Sequence, residues 1–241
     1  ENFMMKEKEI EGYLKNPMKD SDSFSFECKG CGRCCNRSIV GDIPLNGVDI
    51  YHIAKGLALE DTLPVLVEYC QDPYPGDTSK VPVRLLAFDD GTGRCKLLTK
   101  YGKCSVHTEK PTVCALFPLG RMHVVDKSSK EAEFVYFAPP QPEDLPCSNS
   151  SKRQTLRQWK DAFSIEIRDE ETEMWIVLSQ KISTLITEYD LYSSGIVEQA
   201  FTLFDILLYV YDTAEGIMPQ IKRRVKDMDA LYEELEEIKL K

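Results

Sequence analysis

The sequence predicts an α+β protein in which an irregular, cysteine-rich part with short helices and a small sheet precedes an α-helical bundle. All nine cysteines lie between residues 28 and 147. After residue 151 the chain has one proline and two glycines, and its apolar residues recur with the 3.6-residue period of a helix. We therefore expect a cysteine-cluster domain over residues 1–150 and a helical region over residues 151–241 packed on it.

The N-terminal part is expected to alternate short helices with irregular backbone. Residues 6–15 are typical of a mostly polar helix, which Pro17 ends. Residues 24–47 follow neither the helical nor the strand period, so something other than apolar packing must organise them. Residues 48–59 carry their apolar side chains on one helical face, and a second short helix is predicted over residues 63–70.

Three short strands complete this part. They are predicted over residues 81–90, 121–126 and 133–138, where β-branched and aromatic residues concentrate. A turn at residues 90–93, with the sequence DGTG, ends the first strand, and a polar loop joins the other two. The three strands account for the small sheet of the predicted fold.

The C-terminal part is predicted to form a small helical bundle. Helical periodicity extends over residues 152–166, 169–190, 195–213 and 217–240. In the second helix one face is apolar and consists of Trp175, Leu178, Ile182, Leu185, Ile186 and Tyr189. The charged end of the last helix is interpreted as a solvated face. This half of the chain is expected to fold by apolar burial alone.

Composition narrows the possible functions. A chain of 241 residues buries enough apolar surface to fold without disulfides. Its net charge of −10 argues against binding to nucleic acid or to anionic membranes. The sequence contains neither an apolar run long enough to span a membrane nor a visible signal-peptide pattern. We expect a cytoplasmic protein, and in that reducing compartment cysteine clusters bind metals more often than they form disulfides.

The spacing of the cysteines indicates metal binding. Residues 28–35 read CKGCGRCC, and four cysteines in eight positions have no explanation in packing. A C-x2-C step lets two thiolates reach one metal centre from a turn, and Gly30 and Gly32 relieve the steric cost of that turn. The expected ligands are all the cysteines except one: Cys28, Cys31, Cys34, Cys35, Cys95, Cys104, Cys114 and Cys147.

The donor type restricts the metal but leaves its identity open. Thiolates select zinc, Cu(I) or iron–sulfur clusters. Structural zinc and a [4Fe–4S] cluster each take four protein ligands, so eight cysteines match two centres, or one of each kind. Neighbouring side chains point in different directions, so the pair Cys34–Cys35 suits a junction between two centres. How the cysteines divide between one or two centres remains open.

Three other features near the cluster are interpreted separately. Cys70 follows an apolar helical stretch and is interpreted as a core residue. His107 lies three residues after Cys104 and could reach the same metal, although a structural role is favoured. Pro111 is placed to start a helical turn, and the N-terminus of that turn is expected to lower the pKa of the Cys114 thiol.

These segments resemble the CxxCxxCC cysteine-cluster family (YkgJ-like), described as zinc- or iron-chelating. The resemblance extends over roughly residues 24–150 and implies a bacterial metal-binding protein whose biochemical role is unassigned. The positions that carry it are Cys28, Cys31, Gly32, Cys34, Cys35, Cys95, Leu98, Cys104, Val106, His107, Lys110, Pro111, Cys114, Phe117 and Pro118. The flagellin lysine-N-methylases are a more distant likeness, but the glycine-rich turn that binds their S-adenosylmethionine has no counterpart here.

Two functions follow from these observations. The first is a metal-binding protein that chelates zinc, an iron–sulfur cluster or both, with a helical region that binds a partner protein or closes the core. The alternative is a metal- or cluster-dependent enzyme, such as a protein lysine methylase or a redox protein. The acid–base candidates for an enzyme are Asp49, His52, His107 and His123, and no spacing ties them together.

Overall fold

A computed structural model describes residues 7–72, 81–125, 132–139, 147, 150–189 and 197–239. Within these ranges the helices are α1 (Glu7–Lys15), α2 (Arg37–Val40), α3 (Gly47–Gly56), α4 (Leu63–Glu68), α5 (Thr112–Leu116), α6 (Leu156–Ala162), α7 (Ile165–Glu188), α8 (Val197–Tyr209) and α9 (Ile217–Lys239). The strands are β1 (Ser23–Ser25), β2 (Pro44–Leu45), β3 (Cys70–Gln71), β4 (Arg84–Leu86), β5 (Gly120–Val125), β6 (Ala132–Phe137) and β7 (Arg153–Thr155).

The described strands form three small antiparallel sheets, and the α+β class is confirmed. β1 pairs with β7, β4 lies between β2 and β3, and β5 pairs with β6. The predicted hairpin is the β5–β6 pair, whose loop at residues 126–131 lies outside the described residues. The strand predicted over residues 81–90 is shorter than expected, because the chain pairs as β4 only between Arg84 and Leu86.

The helix predicted over residues 152–166 is wrong at both ends. Residues 153–155 are strand β7, which pairs with β1 far away in the sequence. Thr155 then begins α6 with a capping box, in which its hydroxyl accepts from the Gln158 N–H at 3.2 Å. The chain turns again at Ser164, whose φ is 52°, so α7 starts at Ile165 rather than at residue 169.

The larger apolar core joins the two halves of the chain. Ile50 and Ile53 of α3 pack in one buried cluster with Leu178 and Ile182 of α7 and Leu208 of α8. The predicted apolar face of α7 is confirmed, because its leucines and isoleucines are buried and its two aromatic residues pack against the same core. The helical region therefore shares a core with the cysteine-rich part.

A second core also combines both halves. It contains Phe26, Leu116 and Tyr136 from the cysteine-rich part and Trp159 and Ile165 from the helical region. The Trp159 Nε1–H donates to the Leu116 carbonyl oxygen at 3.1 Å. The boundary at residue 150 stays a prediction, while both cores cross it.

Among the helices of the described residues, none has the length and apolar character that crossing a bilayer requires.

Candidate metal centre

The first cysteine loop, residues 28–36, is shaped by glycines, as the spacing predicted. Gly30 and Gly32 have φ values of +61° and +69°, in the left-handed region that other residues avoid. A Cβ on Gly32 would lie 2.6 Å from the Gly102 carbonyl oxygen, so the loop passes directly against the second cysteine loop. Only glycine permits both the turn and this close approach.

Backbone pairing holds the second cysteine loop, residues 94–104, beside the first. The Cys95 N–H donates to the Cys35 carbonyl oxygen at 2.9 Å. Isolated β-bridges pair Asn36 with Arg94 and Leu98 with Cys104. These contacts bring cysteines separated by about sixty residues of sequence into one region.

Five thiols form one group, which we call the five-thiol group: Cys34, Cys35, Cys95, Cys104 and Cys114. The Cys95 thiol interacts electrostatically with each of the other four. Burial raises the pKa of Cys95 to about 11 and raises the pKa of Cys104 and Cys114. The Cys35 thiol donates a hydrogen bond to Cys34, which lowers the pKa of Cys34 to about 7 and raises that of Cys35.

The other three ligand candidates form a three-thiol group: Cys28, Cys31 and Cys147. Burial, together with a hydrogen bond that the Cys147 thiol donates to Cys31, raises the pKa of Cys147. Cys28 acts on Cys147 and also on Cys104 of the five-thiol group. Cys28 therefore interacts with members of both groups, and the junction role of the pair Cys34–Cys35 stays a prediction.

Packing supports the same division. Cys35, Cys95, Cys104 and Cys114 belong to or pack against the larger core, whereas Cys28 and Cys147 belong to or pack against the second core. Four members of the five-thiol group thus lie at the larger core and two members of the three-thiol group at the second, while Cys34 and Cys31 belong to neither.

The expected effect of the α5 N-terminus on Cys114 is wrong. The helical turn does form, with Pro111 at its N-cap and Cys114 in its third position. Burial nevertheless raises the pKa of the Cys114 thiol, because its removal from water outweighs the partial charge of so short a helix.

The donor set fits a thiophilic metal. All nine cysteines are free thiols, and the two groups offer sulfur ligands only. Among the described residues no three Cys, His, Asp or Glu side chains already surround a common point at metal-binding geometry.

The comparison with known families decides what this region is. Residues 27–139 match the family model CxxCxxCC, whose description is "Putative zinc- or iron-chelating domain". This segment is a CxxCxxCC domain. It ends before the helical region begins. Neither a curated protein nor a solved structure matches the chain.

The cysteine loops of the CxxCxxCC domain are basic, although the protein is acidic. Together with the residues that directly follow them, the loops cover residues 28–37 and 94–110, which hold eight of the 30 basic residues and one acidic residue, Glu109. Arg33, Asn36 and Arg94 line an open groove beside the exposed Cys31. A metal bound by four thiolates carries net negative charge, which nearby cations stabilise.

Lys110 brings one of these charges to the thiols. Its side chain is buried, and Nζ lies 4.4 Å from the centre of the Phe163 ring. Its positive charge acts to lower the pKa of Cys34, Cys104 and Cys114. Lys110 therefore favours the thiolate form that a metal needs.

The remaining candidates lie apart from the thiols or serve the fold. Cys70 packs against the larger core, as expected, and burial raises its pKa to about 12. His107 is exposed and meets the Phe163 ring edge-on at 6.4 Å, which is a structural contact. His123 lies on β5 beside Phe134.

Asp49 and His52 of α3 lie close to the segment between Cys104 and Cys114. The Asp49 carboxylate accepts from the Thr112 N–H at 2.7 Å. The two ring nitrogens of His52 lie 2.6 Å from Glu109 and 3.1 Å from Glu171. Sequence reasoning missed both glutamates, because no local pattern joins three residues so widely separated.

Proposed function

We propose that the CxxCxxCC domain binds zinc or a [4Fe–4S] cluster through its eight ligand cysteines, and that the five-thiol group supplies four ligands of the principal centre. The observation that carries this proposal is the convergence of the two cysteine loops: the Cys95 N–H donates to the Cys35 carbonyl oxygen at 2.9 Å, and Cys95, Cys104 and Cys114 belong to or pack against the same core as Cys35. Four sulfur ligands complete the coordination of structural zinc or of a cubane.

The three-thiol group supports a second metal ion with fewer protein ligands. Cys31 is exposed, whereas Cys147 is buried, so a metal held there would remain accessible on one side.

Metal binding stabilises loops that have little regular secondary structure. The first loop has no regular structure between residues 26 and 35 apart from a turn at its end. When bound, the metal replaces thiol protons and cross-links the two loops through their sulfurs, so its binding free energy contributes to folding. The nine free thiols support a reducing, cytoplasmic location.

Metal analysis of the anaerobically purified full chain tests the proposal. Brown protein with broad visible absorption indicates an iron–sulfur cluster, and colourless protein that holds zinc indicates a zinc centre. We expect Cys95→Ser to lose the principal metal, because Cys95 is the common neighbour of the five-thiol group. Cys70→Ala is the control, since Cys70 packs against the same core as the buried Cys95, and its thiol interacts with Arg84, Asp205 and Asp72 rather than with another cysteine.

Equal metal content in Cys95→Ser and wild type would contradict the assignment of the five-thiol group. Loss of metal in Cys70→Ala would show instead that any core cysteine substitution disturbs binding indirectly. The enzymatic alternative and the binding of a partner protein by the helical region remain predictions.

A further inference from the structure

The segment between Cys104 and Cys114 is held from the helical region, to which the family match assigns no role. The Arg168 guanidinium of α7 donates to the Lys110 carbonyl oxygen at 2.6 Å and to the Thr108 carbonyl oxygen at 3.4 Å. It also pairs with the Glu109 carboxylate at 3.2 Å. Arg168 is 2% exposed, so these contacts replace its water.

A buried guanidinium is costly unless its donors are satisfied, and the ligand-bearing segment supplies the acceptors of Nη1 and Nη2, while the buried Nε has no partner among the described residues. Two of its three acceptors are backbone carbonyl oxygens. Hydrogen bonds to them restrain the backbone and do not depend on the side chains of those residues. The contact therefore depends on the conformation of residues 108–110.

The same segment is also held by α3. Asp49 holds the Thr112 N–H at 2.7 Å, and His52 contacts Glu109 with one ring nitrogen and Glu171 of α7 with the other. The segment thus lies between α3 and α7, and both helices meet at Glu109.

We infer that Arg168 is a positioning residue for the metal centre, and that metal binding at Cys104 and Cys114 is coupled to the docking of α7. The inference rests on the proposed function. A segment ordered by Arg168 presents its two thiols with less conformational entropy left to lose. Because coupling between two sites is reciprocal, bound metal must in turn stabilise the contact of α7 with the domain.

Zinc titration of the metal-free full chain against a chelator tests the positioning role. Arg168→Gln should weaken zinc binding about 10- to 100-fold, the range found when groups that orient metal ligands are removed. Arg168→Lys should recover part of the loss, because one ammonium can reach one carbonyl but cannot match the planar guanidinium. The matched control is Arg223→Gln, which removes an exposed ion pair with Glu215 on the helical region.

A second readout tests the coupling without any substitution. Hydrogen exchange of α7 amides in the wild-type chain should slow about 10-fold when zinc is added, a typical size for coupled sites. The cobalt(II) spectrum of Arg168→Gln should also change in its thiolate bands, which a purely global loss of stability would leave alone in the folded fraction.

The outcomes separate this inference from the proposed function. If the wild-type chain binds no zinc, cobalt or iron, the proposed function fails. If it binds zinc but α7 exchanges at the same rate with and without the metal, the coupling is refuted. Equal zinc affinity in folded Arg168→Gln and wild type refutes the positioning role. If Arg168→Gln does not fold, Glu109→Gln removes one of the same contacts and must weaken zinc binding for the inference to stand.

Discussion

Gly47 offers a stringent test of how closely the helical region packs on the CxxCxxCC domain. It is the first residue of α3 and is buried. A Cβ at this position would lie 2.5 Å from Nε1 of Trp175 on α7 and closer still to the Leu208 carbonyl oxygen of α8. Those two atoms are joined by a hydrogen bond of 2.8 Å. Gly47→Ala therefore inserts a methyl group directly into that bond.

The expected cost follows from three contributions. Separating the indole N–H from its buried carbonyl costs about 1–3 kcal/mol, and forcing neighbouring helices apart costs about 1–3 kcal/mol. The higher helix propensity of alanine returns at most about 1 kcal/mol. We expect a net loss of about 3 kcal/mol in the free energy of unfolding, which lowers the melting temperature by about 6–12 °C for a chain of this size.

Thermal unfolding followed by circular dichroism measures the effect, with Gly12→Ala as the matched control. Gly12 lies in α1 with no atom within 4 Å of a built Cβ, so the same substitution there should be neutral or stabilising by up to about 1 kcal/mol. A melting temperature of Gly47→Ala within about 2 °C of wild type would refute the packing described here, because less than about 1 kcal/mol would then have been lost.

Three other predictions concern the metal centre. Zinc affinity should rise about three to four orders of magnitude per pH unit between pH 6 and 7, because burial keeps thiols such as Cys95 protonated and each ligand releases its proton on binding. Calorimetry in two buffers counts the protons released, and a release of fewer than about three would contradict this. Gly32→Ala should weaken zinc binding at least about tenfold, since φ there is +69° and the Gly102 oxygen blocks a Cβ, whereas Gly91→Ala, with only an ordinary contact at 3.6 Å, should leave it unchanged. Lys110→Met should weaken zinc binding about tenfold by removing a positive charge beside the thiols, an effect that a chelator competition would detect and that unchanged affinity would exclude.

Local sequence patterns predicted much of the fold. The helix over residues 48–59 and the apolar face of α7 follow from side-chain period, and both are present. The helical period gave a wrong prediction at residues 153–155, which form a strand. This strand pairs with β1, about 130 residues earlier in the sequence, from Ser23↔Thr155 to Ser25↔Arg153. Such pairing depends on the tertiary structure, and no window of the sequence contains it.

The candidate site could likewise be predicted only in part from the sequence. The C-x2-C spacing and the glycines at 30 and 32 identify thiols and a turn, because both are properties of neighbouring residues. The pKa of Cys114 could not be predicted from its helical turn, since the burial that raises it comes from the core around it. The contact of Arg168 with the carbonyl oxygens of Thr108 and Lys110 could not be predicted from the sequence, because every residue type has a backbone carbonyl.

The arrangement of the thiols explains why a metal domain needs the helical region. Cysteine loops without regular structure become ordered when they bind a metal, but a metal binds tightly only when the cysteine thiols already lie near one another. In this protein the larger core sets the position of the five-thiol group, and helices from beyond the CxxCxxCC domain complete that core. Arg168 then fixes the segment that carries two of the donors. On the proposed function, the helical region thus helps to set the geometry of the metal centre, although residues 151–241 contain no cysteine.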